Sequence, residues 1–381
     1  MPNKAVRRRK KGVVQSGRLD ITFLSFVLIL VTVGLVMLFS SSFAYSLEYY
    51  GNSYKFISRQ SAFAVAGVAL MLIISKIDYH FWRKFSWLVY GVVIVMLIVL
   101  LAMPPMVSGM DVKRWIVIGP LNFQPSELAK FAIVLLFSTL ISANYKMMKE
   151  FKFIIILIGL LGLTCALVVL EPHLSATILI FSIGIVLMIV GGLPKKYIFG
   201  GAGIGVSAVV LAIVSGVISY GSDRIKYWLD PWLDPKGKGF QTIQSLLAIG
   251  SGGILGRGIG QSRQKYLWVP EPHNDFIFAI VCEELGLIGA ILIIVLFALL
   301  VWRGFTIAMR SPDKFGSLLA IGLTFQVGLQ AMLNIWVVTN TIPNTGISLP
   351  FFSYGGTSLM ILLAEMGIVL SVSRSSNIEK T

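Results

Sequence analysis

Asp275 stands immediately before a long apolar stretch, at the end of the sequence Pro-Glu-Pro-His-Asn-Asp over residues 270–275. Charged groups in or near hydrocarbon are costly, and in hydrophobic chains they therefore tend to mark functional sites. Asp is also a preferred N-cap residue, so capping of a helix that begins at Phe276 is the alternative interpretation. His273, two residues before Asp275, either tunes this carboxylate or binds a ligand. The spacing alone leaves these alternatives open.

A second group of charges opens another apolar stretch, in the sequence Gln-Pro-Ser-Glu-Leu-Ala-Lys over residues 124–130. Pro125 indicates a helix start, and Ser126 is the expected N-cap. Glu127 and Lys130 are three residues apart and therefore share one helix face. Inside a membrane span such a pair either faces a polar cavity or fixes helix packing. Lys130 also offers its charge to a phosphate group.

Further polar groups lie between the apolar stretches. Arg114 is suited to bidentate binding of phosphate, but together with Trp115 it also has the composition of a simple interfacial anchor. The short turn Glu171-Pro172-His173 carries a carboxylate that either lines the same cavity as the other charges or is solvated.

A glycine-rich segment, residues 256–260, precedes another polar group. It lacks the Gly-Lys-Ser/Thr sequence and the βαβ context of nucleotide-binding sites, so tight turns or close packing explain it better. The residues that follow, Ser262, Gln264 and Lys265, supply hydrogen-bond donors suited to an anionic ligand.

The last polar segment is Pro-Phe-Phe-Ser-Tyr-Gly-Gly-Thr, residues 350–357. Its glycine pair lets backbone approach a ligand closely, and the hydroxyl of Ser353 lies beside it. Helix packing is an equal alternative for this segment.

The composition identifies a polytopic membrane protein. Of the 381 residues, 56% are hydrophobic and 13% are charged, whereas about a quarter of a soluble domain is charged. The net charge of +15 includes a basic cluster in residues 4–11, whose place before the first apolar run fits anionic lipid rather than nucleic acid. Cys165 and Cys282 lie within apolar runs and provide neither a disulfide framework nor metal-ligand spacing.

The sequence predicts an all-α polytopic membrane protein with about ten transmembrane helices and a large extracytoplasmic loop between helices 7 and 8. Apolar runs of about 18 residues or more indicate spans, and they lie near 21–42, 59–76, 85–103, 126–143, 153–170, 174–192, 197–219, 276–301, 317–338 and 351–372. The positive-inside rule places both termini in the cytoplasm.

The predicted organisation is a cytoplasmic basic tail (1–20), a membrane domain (21–372) and a cytoplasmic tail (373–381). The extracytoplasmic loop, residues 220–275, contains several Trp and Tyr residues and an apolar stretch. These features predict short helices that lie on, or dip into, the outer surface of the membrane.

Together these segments resemble the SEDS family (shape, elongation, division and sporulation), which includes RodA, FtsW and SpoVE. The resemblance covers nearly the whole membrane region and depends on Arg114-Trp115 and on motifs within residues 124–130, 256–265, 270–286 and 345–356. Glu171-Pro172 and the Asn274 that precedes Asp275 are closest to the FtsW/SpoVE branch. His173 departs from the acidic residue that the family often has at its position.

The resemblance implies a peptidoglycan glycosyltransferase that polymerises lipid II, a disaccharide-pentapeptide on undecaprenyl diphosphate, into β-1,4 glycan strands. It implies that Asp275 is the catalytic base that deprotonates the acceptor hydroxyl. Cationic groups would stabilise the diphosphate leaving group, and the candidates are Arg114, Lys130 and Lys265. The predicted substrate-binding residues are Arg114, Glu127, Lys130, Ser262, Gln264, Lys265, His273, Asn274 and Ser353.

The resemblance also implies a place and partners for the protein. The place is the bacterial cytoplasmic (inner) membrane, and the main partner is a class B penicillin-binding protein that supplies transpeptidation. Other divisome, elongasome or sporulation proteins and membrane lipid are further expected partners, and nucleic acid is not. A divalent cation, Mg²⁺ or Mn²⁺, is implied without ligands marked in the sequence, and no organic cofactor is expected.

Two other classes of function compete with the enzyme. An intramembrane pair such as Glu127 and Lys130, with an acidic group near an outer cavity, also suits a lipid II flippase or an ion-coupled carrier. A non-catalytic scaffold of a cell-wall synthesis complex is the other alternative, and it would not require Asp275.

Overall fold

The computed structural model describes residues 17–103, 114–118, 121–197, 225–266 and 268–376. Its helices are α1 (Ile21–Tyr50), α2 (Lys55–Ile74), α3 (His80–Arg83), α4 (Ser86–Ala102), α5 (Pro125–Ala143), α6 (Phe151–Leu170), α7 (Leu174–Val190), α8 (Phe240–Gly252), α9 (Ile277–Met309), α10 (Lys314–Val338) and α11 (Gly356–Ser375). There are also short 3-10 helices at Tyr145–Lys149 and Pro231–Leu233. An antiparallel hairpin pairs β1 (Ile116–Ile118) with β2 (Leu121–Phe123).

The helices confirm an all-α membrane protein. Within the described ranges, 7 helices are long and apolar enough to cross a membrane, and α4 and α7 are shorter apolar helices. Each predicted span that falls in these ranges coincides with one of these helices. The span predicted at 197–219 lies, after its first residue, outside the described residues, as do residues 1–16 of the basic tail and residues 377–381. The total of ten spans therefore stays a prediction, and the small hairpin was not predicted.

Helix α5 occupies the centre of the bundle. Every residue from Ala129 to Ser138 is buried, as expected for a helix that is apolar on all sides. Its neighbours include α4, α7 and α10. On α6, by contrast, Ile155, Ile156 and Ile158 are about half exposed, as suits a helix that faces lipid. The charged residues of the first turns of α5 are therefore held by a helix that is packed on all sides along its middle part.

The start of α5 differs in one detail from the prediction. The helix begins at Pro125, but Gln124 is its N-cap residue and makes no side-chain cap hydrogen bond. The prediction of Ser126 as N-cap is wrong, because this residue already lies within the first turn. Its hydroxyl group instead lies 3.2 Å from Nδ1 of His173, at the start of α7.

Helix α9 is broken at Gly286, where φ is 66° and ψ is −167°. The loop after α8 fills the break with reciprocal backbone hydrogen bonds of 2.9–3.2 Å, between Arg257 and Glu283, Gly258 and Glu284, Leu287 and Gly253, and Ile288 and Ile254. Backbone groups within hydrocarbon require such partners. Gly256 lies at the closest approach, since a Cβ atom there would come within 2.2 Å of the carbonyl oxygen of Glu284. The break thus fastens this loop to the first part of α9, directly after Asp275.

Candidate functional site

A cavity of about 500 Å³ is bounded by residues of α2, α5, α7, α10 and α11, by the hairpin and by the segment before α9. We call it the larger cavity. Its charged lining residues are Arg59, Arg114, Glu127, Glu271 and Asp275. Amides and hydroxyls supply much of the remaining polar wall, whereas Phe63, Leu359 and Leu362 form an apolar part. A cavity with few charges and an apolar portion suits an amphiphilic ligand.

Asp275 lies at the cavity wall, held by its backbone. Helix α9 begins at Ile277 with Phe276 as N-cap residue and no side-chain cap hydrogen bond, so the capping alternative for Asp275 is wrong. The carbonyl oxygen of Asp275 instead accepts a hydrogen bond of 2.7 Å from Nδ2 of Asn334. The carbonyl oxygen of Asn274 accepts one of 2.8 Å from the hydroxyl of Ser353. These contacts fix the main chain and leave the carboxylate at the cavity.

The surroundings of Asp275 make its carboxylate more basic. Burial and, to a smaller extent, the Glu271 carboxylate raise its pKa to about 6, although the Arg114 guanidinium acts in the opposite direction. A general base works best when its pKa lies near the operating pH. Asp275 is therefore ionised at neutral pH and is a stronger base than an ordinary aspartate.

Arg114 joins the cavity to the turn before α7. Its guanidinium donates a hydrogen bond to the carbonyl oxygen of Pro172. The Glu171 side chain is fully buried, and burial raises its pKa to about 8 although Arg114 acts in the opposite direction. His173 lines the larger cavity, and burial, reinforced by Arg114 and Lys130, lowers its pKa to about 3. Glu171 is thus neither solvated nor part of the cavity wall, so both alternatives for its carboxylate are wrong, and His173 is neutral.

The predicted pair of charges on α5 is present. Nζ of Lys130 lies 2.9 Å from Oε1 of Glu127 and donates a hydrogen bond of 2.7 Å to Oε1 of Gln330 on α10. Glu127 lines the larger cavity, whereas the Lys130 side chain is only 1% exposed. Lys130 therefore supports Glu127 from behind the cavity wall.

His273 belongs to an aromatic cluster. Its ring centre lies 4.4 Å from that of Phe56 and 4.9 Å from that of Tyr45, and its carbonyl oxygen accepts a hydrogen bond from the backbone of Tyr354. Burial lowers the pKa of His273 to about 4, so its imidazole is neutral. The packing indicates that His273 supports the segment that carries Asp275.

Ser262 and Lys265 lie in a separate buried cluster against α9. The Lys265 ammonium is 3.0 Å from Oε1 of Glu284, and the Ser40 hydroxyl lies 2.7 Å from both oxygens of this carboxylate, to which it donates its one hydrogen. Glu283 accepts a hydrogen bond of 2.5 Å from the Ser262 hydroxyl. This cluster fastens the segment before Asp275 to the helix after it.

The structure thus divides the predicted site residues. Asp275, Arg114, Glu127, Asn274 and Ser353 line the larger cavity. The others do not line it and lie in its supporting structure or in the separate cluster: Lys130, His273, Ser262, Gln264 and Lys265. The substrate-binding roles of this second group stay predictions.

Sequence reasoning missed a row of amides on α10. Gln326, Gln330 and Asn334 are spaced by four residues and therefore lie on one helix face. Gln330 bonds Lys130 and Asn334 bonds the backbone of Asp275, while Nε2 of Gln326 donates a hydrogen bond of 3.0 Å to Glu365. Three amides at four-residue intervals inside an apolar span could have been recognised in the sequence as a polar face of this helix.

Comparison with known proteins gives a consistent result. The profile of the FtsW, RodA and SpoVE family, described as "Cell cycle protein", matches residues 21–378. The chain is 39% identical over 360 residues to Stage V sporulation protein E of Bacillus subtilis (strain 168), covering 94% of this chain and 97% of that protein. It is 36% identical over 359 residues to the probable peptidoglycan glycosyltransferase FtsW of Geobacter sp. (strain M18), covering 93% and 96%.

Solved structures also resemble this fold. One is a chain from a study of polymerization and crosslinking by a peptidoglycan synthase complex, with a TM-score of 0.78, 28% identity and coverage of 93% of this chain and 98% of that one. Another is the rod shape determining protein RodA of Thermus thermophilus, with a TM-score of 0.69, 25% identity and coverage of 95% and 98%.

Proposed function

The chain belongs to the FtsW, RodA and SpoVE family, as its motifs predicted, and we propose that it is a peptidoglycan glycosyltransferase that polymerises lipid II into β-1,4 glycan strands. The observation that carries this proposal is the position of Asp275. A half-buried carboxylate of raised pKa lies at a polar cavity beside Arg114, and the same cavity has an apolar portion. These features match a lipid-linked sugar donor and a reaction that needs a base and a cation.

The reaction requires a proton acceptor and a site for the leaving diphosphate. Asp275 takes the proton of the acceptor hydroxyl as its oxygen attacks the anomeric carbon of the donor. The new glycosidic C–O bond forms while the bond to the diphosphate breaks, and the electron pair leaves with the diphosphate. Arg114, at the same wall, stabilises the charge that develops there. Direct displacement inverts an α-linked donor into a β-linked product.

A divalent cation fits this site as a companion of the diphosphate. No group of three or more His, Cys, Asp or Glu side chains within the described ranges is placed to hold a metal ion. Mg²⁺, however, is commonly held by one or two carboxylates together with substrate phosphates. Glu271, an exposed carboxylate of the cavity wall, would hold such a cation. The cation would supply positive charge to the diphosphate.

The same reaction defines the expected location and partner. The base faces a cavity next to segments that the charge pattern places outside, so the active site would lie at the outer face of the cytoplasmic membrane, with both termini in the cytoplasm. The resemblance to a chain of a peptidoglycan synthase complex supports a penicillin-binding protein as partner. We expect a class B transpeptidase, which cross-links the strands that this chain makes.

The proposal is tested by strand synthesis from fluorescent lipid II. The purified chain is combined with a class B partner that lacks glycosyltransferase activity, and the products are resolved by length. We expect long strands that a muramidase degrades, and none from the partner alone. If no strands form while a known polymerase works in the same mixture, transport or scaffolding replaces the enzyme.

The pKa of Asp275 gives this activity a pH dependence. We expect the rate of strand synthesis to rise with pH through about 6 and to level off above it, because only the ionised carboxylate accepts the proton. Initial rates between about pH 5 and about pH 8 check this, with thermal stability followed over the same range. Glu171→Gln serves as the control and keeps the inflection. A rate that stays constant across the range would contradict Asp275 as the titrating base.

A further inference from the structure

Glu365 places a carboxyl group in the middle of a membrane-spanning helix. It lies halfway along α11, and its side chain is 2% exposed. Glu365 is not part of the wall of the larger cavity, and the proposed reaction does not involve it. An ionisable group inside a span is costly and is therefore a candidate for a functional role. The contacts of Glu365 indicate which role this is.

Glu365 contacts an amide of the neighbouring helix α10. Nε2 of Gln326, which is also 2% exposed, donates a hydrogen bond of 3.0 Å to Oε2 of Glu365. The other oxygens of these side chains, Oε1 of Glu365 and Oε1 of Gln326, are buried and have no hydrogen-bond partner in the described part of the chain. Buried polar atoms are nearly always paired. A proton on Oε1 of Glu365 would turn this oxygen into a donor for the amide oxygen, and a carboxylic acid–amide pair would result.

Gln326 is the first member of the amide row of α10, which continues with Gln330 and Asn334. Gln330 accepts a hydrogen bond of 2.7 Å from Lys130 on α5, and Asn334 donates one of 2.7 Å to the carbonyl oxygen of Asp275. Each amide thus bonds a different part of the molecule. Because a helix rises 1.5 Å per residue, the first and last amides are about 12 Å apart.

The backbone of α10 lies close to its neighbours on both sides of Gln326. A Cβ atom at Gly322 would come within 2.6 Å of the Val134 side chain on α5, and one at Gly328 within 2.9 Å of the Val301 side chain on α9. Close-packed interiors yield little and transmit strain. A displacement of α10 at its first amide would therefore also displace the last amide of the row.

A second interpretation of Glu365 is that it acts by its charge. Lys130 and Glu127 interact electrostatically with Glu365, so an ionised Glu365 would compete with Glu127 for the Lys130 ammonium. This ammonium, however, lies 2.9 Å from Oε1 of Glu127 and donates to Gln330 at 2.7 Å. Because Lys130 is already engaged by two acceptors, the contacts favour an uncharged Glu365.

We propose that Glu365 is a positioning residue for glycosyl transfer. As an uncharged acid it pairs with Gln326 and fixes the amide row of α10, whose last member holds the backbone of Asp275. The proposal rests on the proposed function and adds to it a residue that lies outside the cavity. Loss of the pair should therefore lower the turnover of lipid II and leave its binding almost unchanged.

The test compares kcat and KM for strand synthesis in variants of the pair. Gln326→Leu/Glu365→Leu removes both partners and leaves neither of them unpaired, so it should fold. We expect its kcat to fall about tenfold or more, since small misplacements of reacting groups are costly, and its KM for lipid II to stay unchanged. Glu365→Gln, in which two amides form the pair, should keep most of the wild-type kcat.

The matched control is Thr324→Val, which removes a buried hydroxyl group from the same helix. This hydroxyl has no hydrogen-bond partner among the residues that the structure describes, so the variant should match wild type. Thermal unfolding of every variant is followed in parallel. If the double leucine variant is unstable, Gln326→Met replaces it and should lower kcat. Gln326→Glu/Glu365→Gln, which exchanges the two groups between the helices, should restore the rate.

Two kinetic results would overturn the positioning role while wild type still makes strands. One is a wild-type kcat in the double leucine variant or in Gln326→Met, because the pair would then be dispensable. The other is a loss of activity in a folded Glu365→Gln, because Glu365 would then act by its charge.

Infrared spectroscopy tests the pair without turnover. A protonated carboxyl group has a C=O stretch that differs from those of a carboxylate and of the backbone amides, and the difference between wild type and Glu365→Gln should contain this band. Its absence would overturn the acid–amide pair even where strands are made. If the band is present and wild type makes no strands, the polymerase and the positioning role are both overturned, and only the buried pair is supported.

Discussion

Asp275→Asn should abolish glycan strand synthesis. The loss of a general base lowers a rate by about 10²–10⁴-fold, and Asn has nearly the same shape but cannot take the proton. The backbone contacts that position this residue involve its carbonyl group and not its carboxylate, so the variant should fold as wild type does. We therefore expect lipid II binding to persist while turnover is lost.

Strand synthesis and lipid II binding are measured on the same preparations to test this. Glu48→Gln is the matched control, since it removes an exposed carboxylate from α1 that does not line the larger cavity. It should make strands at the wild-type rate. If Asp275→Asn also does so, Asp275 is not the base, and a different group at the cavity must take the proton.

Hydropathy was enough to predict the described spans, because a bilayer constrains the length and composition of every helix that crosses it. Asp275 and the Glu127–Lys130 pair could also be identified as candidate site residues from the sequence, since charges next to hydrocarbon are rare and costly. The spacing of Glu127 and Lys130 also fixed their geometry, and the two side chains do meet. Local sequence was therefore sufficient to predict the features that depend on a single helix.

Other parts of the site depend on approaches between distant segments. The start of α8 meets the segment after α10, where Gln241 contacts Asn344 over more than a hundred residues. The break in α9 is another case, because Gly286 can leave the helical conformation only where the Gly256 loop replaces its hydrogen bonds. The spacing of residues within one segment does not predict which distant segments contact each other.

Lys265 is the residue for which sequence and structure suggest different roles. As a donor before Asp275 it was predicted to stabilise a diphosphate, yet its side chain is 3% exposed and pairs with a fully buried Glu284. Glu283 and Glu284 are adjacent in an apolar run, and the sequence does not show which lysine pairs with them. The pairing joins α9 to the segment that leads into Asp275, which makes it a positioning contact.

Lys265→Met should consequently cost about 3–5 kcal/mol of stability, because it leaves the buried Glu284 carboxylate without its cation. Thermal unfolding of the purified protein measures this, and Lys236→Met, at an exposed lysine, should change little. The double variant Lys265→Met/Glu284→Gln removes both charges and should recover most of the lost stability. If the double variant makes strands, Lys265 acts by positioning the segment before Asp275. If it folds but makes none, the charge of Lys265 is needed for the reaction, as the sequence alone predicted.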